Sequence, residues 1–355
     1  MQVIPPIEIT DARLTSSTVP EAVAATYSGA TTYAAGDLAG AAPTYGSPQT
    51  VWRSLQSGNT GNAQTEGVWW TNAGIVYPVY TGDSCSIGAI VTDLATHSLY
   101  ESLVDTNTFA LNDVANDIKK WKYIGKTNRF RMFDYSRNQK TSAPGSITVA
   151  LAPAKRINSI ALSGMVANSY ELTVTSVGGG GEVYSDSGSL NTRITTTWSD
   201  YFFGEFGTIP SLVYFDVPPF TDCIVTLTLT ATSGNAQIGA IGVGTFIYVG
   251  ETEQSTSEDI LNFSTVDRDL DGNAILKPLR NVPKSRQTVL CEKNNLNKVR
   301  KLRNELNAAS AFWYGLDDAA HAYFEAVSIL GFYRGFEINT DFPDQAIINI
   351  EIEEV

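Results

Sequence analysis

The chain has 355 residues, 43% hydrophobic and 17% charged, which is apolar surface enough for two or three packed cores. Thirty-seven acidic residues against 24 basic ones give a formal net charge of -13 and a pI of about 4.6. Such a field repels nucleic-acid phosphates and anionic lipid headgroups, so a general nucleic-acid-binding role is excluded and membrane attachment is disfavoured.

Residues 1–26 read as an extended N-terminal arm. Pro5, Pro6 and Pro20 forbid a continuous helix, and Val3, Ile4, Ile7 and Ile9 are apolar without a periodic face. Disordered tails rarely carry aliphatics in this way, so the arm is expected to be stapled to a neighbour in an assembly. The opening stretch has no basic start and no apolar core of signal-peptide length, and no segment reaches the ~20 apolar residues that span a bilayer. Synthesis in a cytoplasm, without an export signal or membrane insertion, is the expectation.

An internal repeat follows. Tyr27-Ser28-Gly29 matches Tyr80-Thr81-Gly82, and Trp52-Arg53-Ser54-Leu55 matches Tyr100-Glu101-Ser102-Leu103. Asn59 matches Asn107, and Trp70 with Gly74 matches Trp121 with Gly125. Short strands with turn residues between them predict two tandem small β modules, 27–76 and 77–127. Units this small need several aromatics to hold a core.

Strong alternation marks 128–250. Ser146–Leu151, Tyr170–Thr175 and Cys223–Leu229 are predicted strands, Gly178–Gly181 a turn, and Gln237–Val249 a Gly-spaced strand. This pattern predicts a β-sandwich of jelly-roll type. Residues 251–258 form a polar linker. The last region, 259–355, is expected to be a small α+β domain. It has a hairpin turn at Asp271-Gly272 and a strand at Gln287–Leu290. A helix follows on Leu296, Val299, Leu302 and Leu306, with Asn294 or Asn295 as N-cap, and then three further strands. The fold class is therefore mainly β and multidomain.

The residues for most chemistry are missing. Only His97 and His321 exist, and neither a nucleophile elbow, an HExxH helix nor a phosphate-binding loop occurs. Cys85, Cys223 and Cys291 lack metal-ligand spacing and read as buried free thiols. Asp267, Asp269, Asp271 and Gly272 match the start of a calcium loop, but Pro278 stands where the bidentate Glu belongs, so the string reads as an acidic hairpin tip. No enzyme activity, metal or cofactor is expected. The aromatics of the repeats are the best binding signal, because sugar rings stack their C–H faces on exposed Trp and Tyr. Trp52, Trp69 and Tyr100 are the candidates, with Trp70 and Trp121 assigned to the module cores.

Each repeat resembles the small carbohydrate-binding modules appended to chitinases. The first copy carries Tyr27, Tyr33, Gly36-Asp37, Trp52-Arg53-Ser54, Asn59-Thr60-Gly61 and Trp69-Trp70. The resemblance adds Tyr33 to the glycan-binding set. In the second copy Gly88-Ala89 lacks the Asp and Asn107-Thr108-Phe109 lacks the Gly, which implies a spacer. Over nearly its full length the chain also resembles a family of tail proteins of tailed bacteriophages and prophages. The matching strings include Val3–Ile7, Ile9–Ala12, Leu14–Ser17, Thr127–Arg129, Met132–Asp134, Pro144–Val149, Ala167–Ser169, Tyr201–Gly204, Gly331–Tyr333 and Ile350–Glu353. That resemblance implies a structural virion protein at the tail tip or baseplate, oligomeric and bound to other tail proteins or fibres. The alternative is a receptor-binding lectin that recognises host surface polysaccharide.

Overall fold

The computed structural model describes residues 1–355 except 112–119, 137–138, 179, 193–196, 205–206, 254–255, 269–270, 317–323, 325–326 and 341. With 52% strand against 7% helix, the chain is mainly β and divided among several sheets.

Alternation builds the central sandwich. Along Cys223–Ile238, Cys223, Val225, Leu227 and Leu229 are buried while the residues between them are half-buried, the period of a strand with one face on a core. This strand lies between Ser169–Ser176 and Thr141–Leu151 in a five-stranded sheet, with Gly181–Ser189 and Leu14–Ser17 at the edges. A three-stranded sheet, Leu212–Tyr214, Ser159–Ser163 and Ala240–Gly244, covers it. Ile147, Val149, Leu172, Leu227, Ile160, Leu162 and Ile241 close the core between them. Ser159–Ser163 and Ala240–Gly244 are buried at every position, because their outer face meets the C-terminal domain. That explains the small residues: a Cβ on Gly242 would come within 2.2 Å of the Phe312 ring. The predicted Gly-spaced strand is therefore three pieces. It is the end of Cys223–Ile238, then Ala240–Gly244, then Ile247–Tyr248 in a different sheet.

The C-terminal residues build an eight-stranded sheet that carries one helix among the described residues. Its order runs Ile247–Tyr248, Gln2–Ile4, Ala311–Tyr314, Ser328–Asn339, Gln345–Glu354, Asn281–Glu292, with Glu251–Thr252 and Ser257–Asn262 both on the outer side of Asn281–Glu292. Helix Leu296–Glu305 lays Val299 and Leu302, with Leu306 just past its end, on Val289, Cys291, Ile348, Ile350 and Trp313. Asn295 is its N-cap residue but makes no side-chain capping bond; a 3-10 turn, Lys293–Asn295, leads in instead. The predicted linker 251–258 supplies strand residues to this sheet's edge.

Residues 1–26 do not form a free arm. Gln2–Ile4 is an interior strand, antiparallel to Ile247–Tyr248 on one side and Ala311–Tyr314 on the other. Val3 is fully buried in the core under the helix, and Ile4 in the layer shared with the sandwich. Ile7 donates its N–H to the Val243 carbonyl at 2.9 Å, and Ile9 enters the sandwich core. The four aliphatics read as an assembly arm are thus stapled to their own chain. Val3 and Ile4 carry no alternation because successive strand residues face opposite sides, and here each side is covered by a different core, while Ile7 and Ile9 follow the strand and both pack on the sandwich core.

Candidate functional site

The two modules reproduce one hydrogen-bond pattern. In the first, sheet Ala25–Thr26, Leu38–Gly40, Gln49–Ser54 and Trp70–Val76 surrounds Asn59. Its side-chain Nδ2 donates to Ser54 Oγ at 3.0 Å and to the Trp69 carbonyl at 3.2 Å. In the second, sheet Ile90–Asp93, Ser98–Ser102 and Trp121–Lys126 surrounds Asn107, which donates to Ser102 Oγ at 3.0 Å and to the Lys120 carbonyl at 2.9 Å. Trp70 Nε1 donates to the Asn62 carbonyl and Trp121 Nε1 to the Phe109 carbonyl, both at 3.0 Å. Both Trp rings are buried. Buried Asn and Trp donors find partners here because an unmade bond inside so small a core costs about 1–3 kcal/mol.

The glycan candidates divide. Tyr33 is only 6% exposed, stacked on Tyr27 at 5.9 Å and edge-on to Trp70 at 5.0 Å. Its hydroxyl accepts the Ser28 N–H at 2.8 Å, so Tyr33 is core and presents no face to a ligand. Trp52 and Trp69 are half-buried, and both rest on the Tyr33–Ala39–Trp70 cluster. Trp69 therefore does not point away from Trp70's core, because it precedes the regular strand Trp70–Val76. Trp52 lies across from Asn72, and at the equivalent place Tyr100 lies across from Tyr123. Tyr100 and Tyr123 meet at 5.8 Å, and Tyr123 is 54% exposed. The repeat alignment carries the signal for Tyr123, which falls on the position of Asn72.

Cys85 takes the place of Tyr33: Tyr33 exchanges backbone bonds with Asn59, and Cys85 does the same with Asn107. Tyr45, from the first module, fills the space beside Tyr80 at 6.4 Å, and its hydroxyl lies 3.0 Å from that of Thr81. The smaller residue in the second copy is thus compensated by a ring lent by the first. Cys85, Cys223 and Cys291 are all buried and free, and burial raises each thiol's pKa.

The histidine lies between the N-terminal segment and the second module. His97 Nδ1 is 2.8 Å from Glu21 and Nε2 is 3.3 Å from Asp11, with the ring stacked on Phe130 at 3.6 Å. Thr127 Oγ1 also donates to Glu21, at 2.7 Å. With both ring nitrogens on carboxylates, His97 ties chain segments together. His321 and Asp269 lie outside the described residues. Lys277 Nζ holds the Asp267 carboxylate at 2.5 Å, and among the described residues no three His, Cys, Asp or Glu side chains are grouped to hold a metal.

Asp134 lines the same cleft as Glu8, Asp11 and His97. Burial pushes its carboxyl up to about 6, opposed by the Ser136 N–H and by the Arg131 and Lys126 charges. A raised carboxylate pKa contributes stability below the unfolded value of 3.8, and that contribution is lost as pH rises through about 6. Asp134→Asn keeps the Oδ1 acceptor for Ser136. It is expected to raise the melting temperature at about pH 7.5 and to leave it unchanged at about pH 3.5. Equal shifts at both pH values would refute the assignment.

Sequence reasoning missed a further feature. Helix Trp198–Phe203 exposes Trp198, Tyr201, Phe202 and Phe203, each 55–84% accessible, and buries none of its residues. A capping box starts it: Asp200 N–H donates to Thr197 Oγ1 at 3.2 Å, and Thr197 N–H donates to Asp200 Oδ2 at 2.9 Å. Asn191–Thr192 and Gly207–Thr208 pair at its base. The rings contact one another at 5.2–6.4 Å. Four aromatics in six residues, without strand alternation, were the available signal. No protein-family model, curated protein or solved structure matches this chain.

Proposed function

We propose that this chain is a structural, non-enzymatic subunit of a bacteriophage tail, at the tip or baseplate, that assembles with other tail proteins or fibres and with copies of itself. The observation that carries the reading is the aromatic helix Trp198–Phe203. Four contiguous exposed rings are the composition of an interface core, and a protein that works alone in water rarely keeps such a patch. The family-like strings along the chain supply the tail setting. Among the described residues no helix is long and apolar enough to cross a membrane. Immunogold labelling of purified particles is the test, with gold at the tail tip expected. Particles without gold, and protein found only in the lysate, overturn it.

Trp52 and Trp69 favour a second reading, a lectin that binds host surface polysaccharide. Both rings are part-exposed on one small module, as sugar stacking requires. On a glycan array the chain is then expected to bind, and Trp52→Ala or Trp69→Ala to reduce the signal at least tenfold, as the loss of about 1.4 kcal/mol does. Absence of binding to any host polysaccharide removes this reading.

A further inference from the structure

Ser257–Asn262 leaves the C-terminal sheet beside Asn281–Glu292, and the chain continues outward as a two-stranded ribbon. Thr265–Arg268 pairs with Ala274–Lys277, and Gly272 takes the positive φ of 85° that the turn needs. From Lys284 inward the returning strand also pairs with Gln345–Glu354; outward of it the ribbon has only its own two strands. A lone hairpin is marginal in water. This one nevertheless exposes Ile260, Phe263, Val266, Ile275, Leu276 and Leu279, each at least 48% accessible. Val266 and Leu276 lie directly across from each other.

Charge divides between the two strands. The outgoing residues 257–268 carry Glu258, Asp259 and Asp267 against Arg268 alone, while the part of the returning strand with an uncovered edge, 274–283, carries Lys277 and Arg280 and no acid. Inside the hairpin Lys277 bridges to Asp267, while Arg280 reaches Glu354 and both Lys284 and Arg286 reach Glu351 of the C-terminal strand. Among the described residues, no other strand pairs with the outer edge of 257–268 or with that of 274–283.

We propose that this hairpin lies side by side with the same hairpin of a second copy of this chain, the acidic outgoing edge of one against the basic returning edge of the next. An identical hairpin presents, on its opposite edge, the partner charge of the Lys277–Asp267 pair that the two strands already make internally, so the acid–base order repeats across the contact. Pairing covers an edge that is otherwise a template for uncontrolled association. It also gives Val266 and Leu276 same-face neighbours from the next copy. The contact is head-to-tail, so it closes into a ring or continues as a fibre. It rests on the assembly reading above for its setting, and it uses a surface distinct from the aromatic helix.

Sedimentation velocity of the full chain at about 100 μM tests it, at about 50 mM and about 500 mM salt, since exposed charge pairs are screened at the higher value. The wild-type chain is expected to associate, and less so at high salt. Lys277→Glu with Arg280→Glu makes both edges acidic; Asp259→Lys with Asp267→Lys makes both basic. Each double variant is expected to sediment as a monomer, and an equimolar mixture of the two to associate again. A variant with residues 263–279 replaced by Asn-Gly keeps the sheet, and is expected to melt like the wild type and stay monomeric. A monomeric wild-type chain, association that survives the shortened hairpin, or a mixture that fails to recover association each overturns the proposal. A monomer leaves the tail reading to be decided by gold labelling.

Discussion

Val3→Asp is expected to unfold the C-terminal sheet and to loosen the sandwich with it. Val3 is fully buried between two neighbouring strands, under Val299 and Leu302 of the helix. A carboxylate there would sit in a cluster of buried apolar side chains, and burying a charge in such a core belongs to the small set of changes that cost about 4 kcal/mol or more. That is a large share of the roughly 5–15 kcal/mol that holds a domain together. The effect should spread because residues 2–17 thread both cores: Gln2–Ile4 closes the C-terminal sheet and Leu14–Ser17 edges the sandwich. Thermal melting followed by circular dichroism is the measurement, with Glu8→Ala, an exposed change expected within about 0.5 kcal/mol, as control. If Val3→Asp melted like the control, the N-terminal strand would not occupy the sheet interior.

This route of the N-terminus could not be read from the residues. Strand alternation is a local signal, and where one face meets a core it was plain: Cys223–Leu229, Ser146–Leu151 and Ile347–Ile352 all lie in strands. The helix on Leu296, Val299, Leu302 and Leu306 was equally local. The partner of a strand is not local. Gln2–Ile4 pairs with residues more than 240 positions away, and no property of Val3 or Ile4 names Trp313 or Phe312 as the neighbour. The small residues of Ala240–Gly244 likewise made sense only once Phe312 was found against Gly242. Ser257–Asn262 and Thr265–Arg268 bury almost nothing, so their sequence carries no core-facing pattern; only the Asp271-Gly272 turn announced the hairpin.

The repeat was legible for the opposite reason. Its chemistry depends on a few side chains with one possible role, such as Asn59 and Asn107, each of which ties a Ser hydroxyl to a backbone carbonyl. Which rings face solvent was harder, because Tyr, Trp and Asn all suit a half-buried strand surface. Tyr33 shows the difficulty: its place in the module-like motif made it a ligand candidate, while its hydroxyl accepts the Ser28 N–H inside the core.

Trp70→Ala is expected to unfold the first module while the sandwich stays folded. Deleting a buried Trp costs about 3–5 kcal/mol. Trp70 is fully buried, packs edge-on to Tyr33 at 5.0 Å and to Tyr27 at 5.8 Å, and donates Nε1 to the Asn62 carbonyl. A unit of about fifty residues has little other burial to offset that loss. Tyr45 extends from this module into the aromatic cluster of the second, so the second should also lose protection, by a smaller amount. Trp52→Ala and Trp69→Ala remove half-buried rings at the rim of the cluster and are expected to leave the module folded, at a cost of about 1–2 kcal/mol. Limited proteolysis with mass spectrometry separates the cases. Cleavage between residues 27 and 76 in Trp70→Ala, with 141–244 intact, is the expected pattern. Equal protection of all three variants would mean that Trp70 is not the centre of the module core, and the rim assignment of Trp52 and Trp69, on which the sugar-binding test depends, would fall with it.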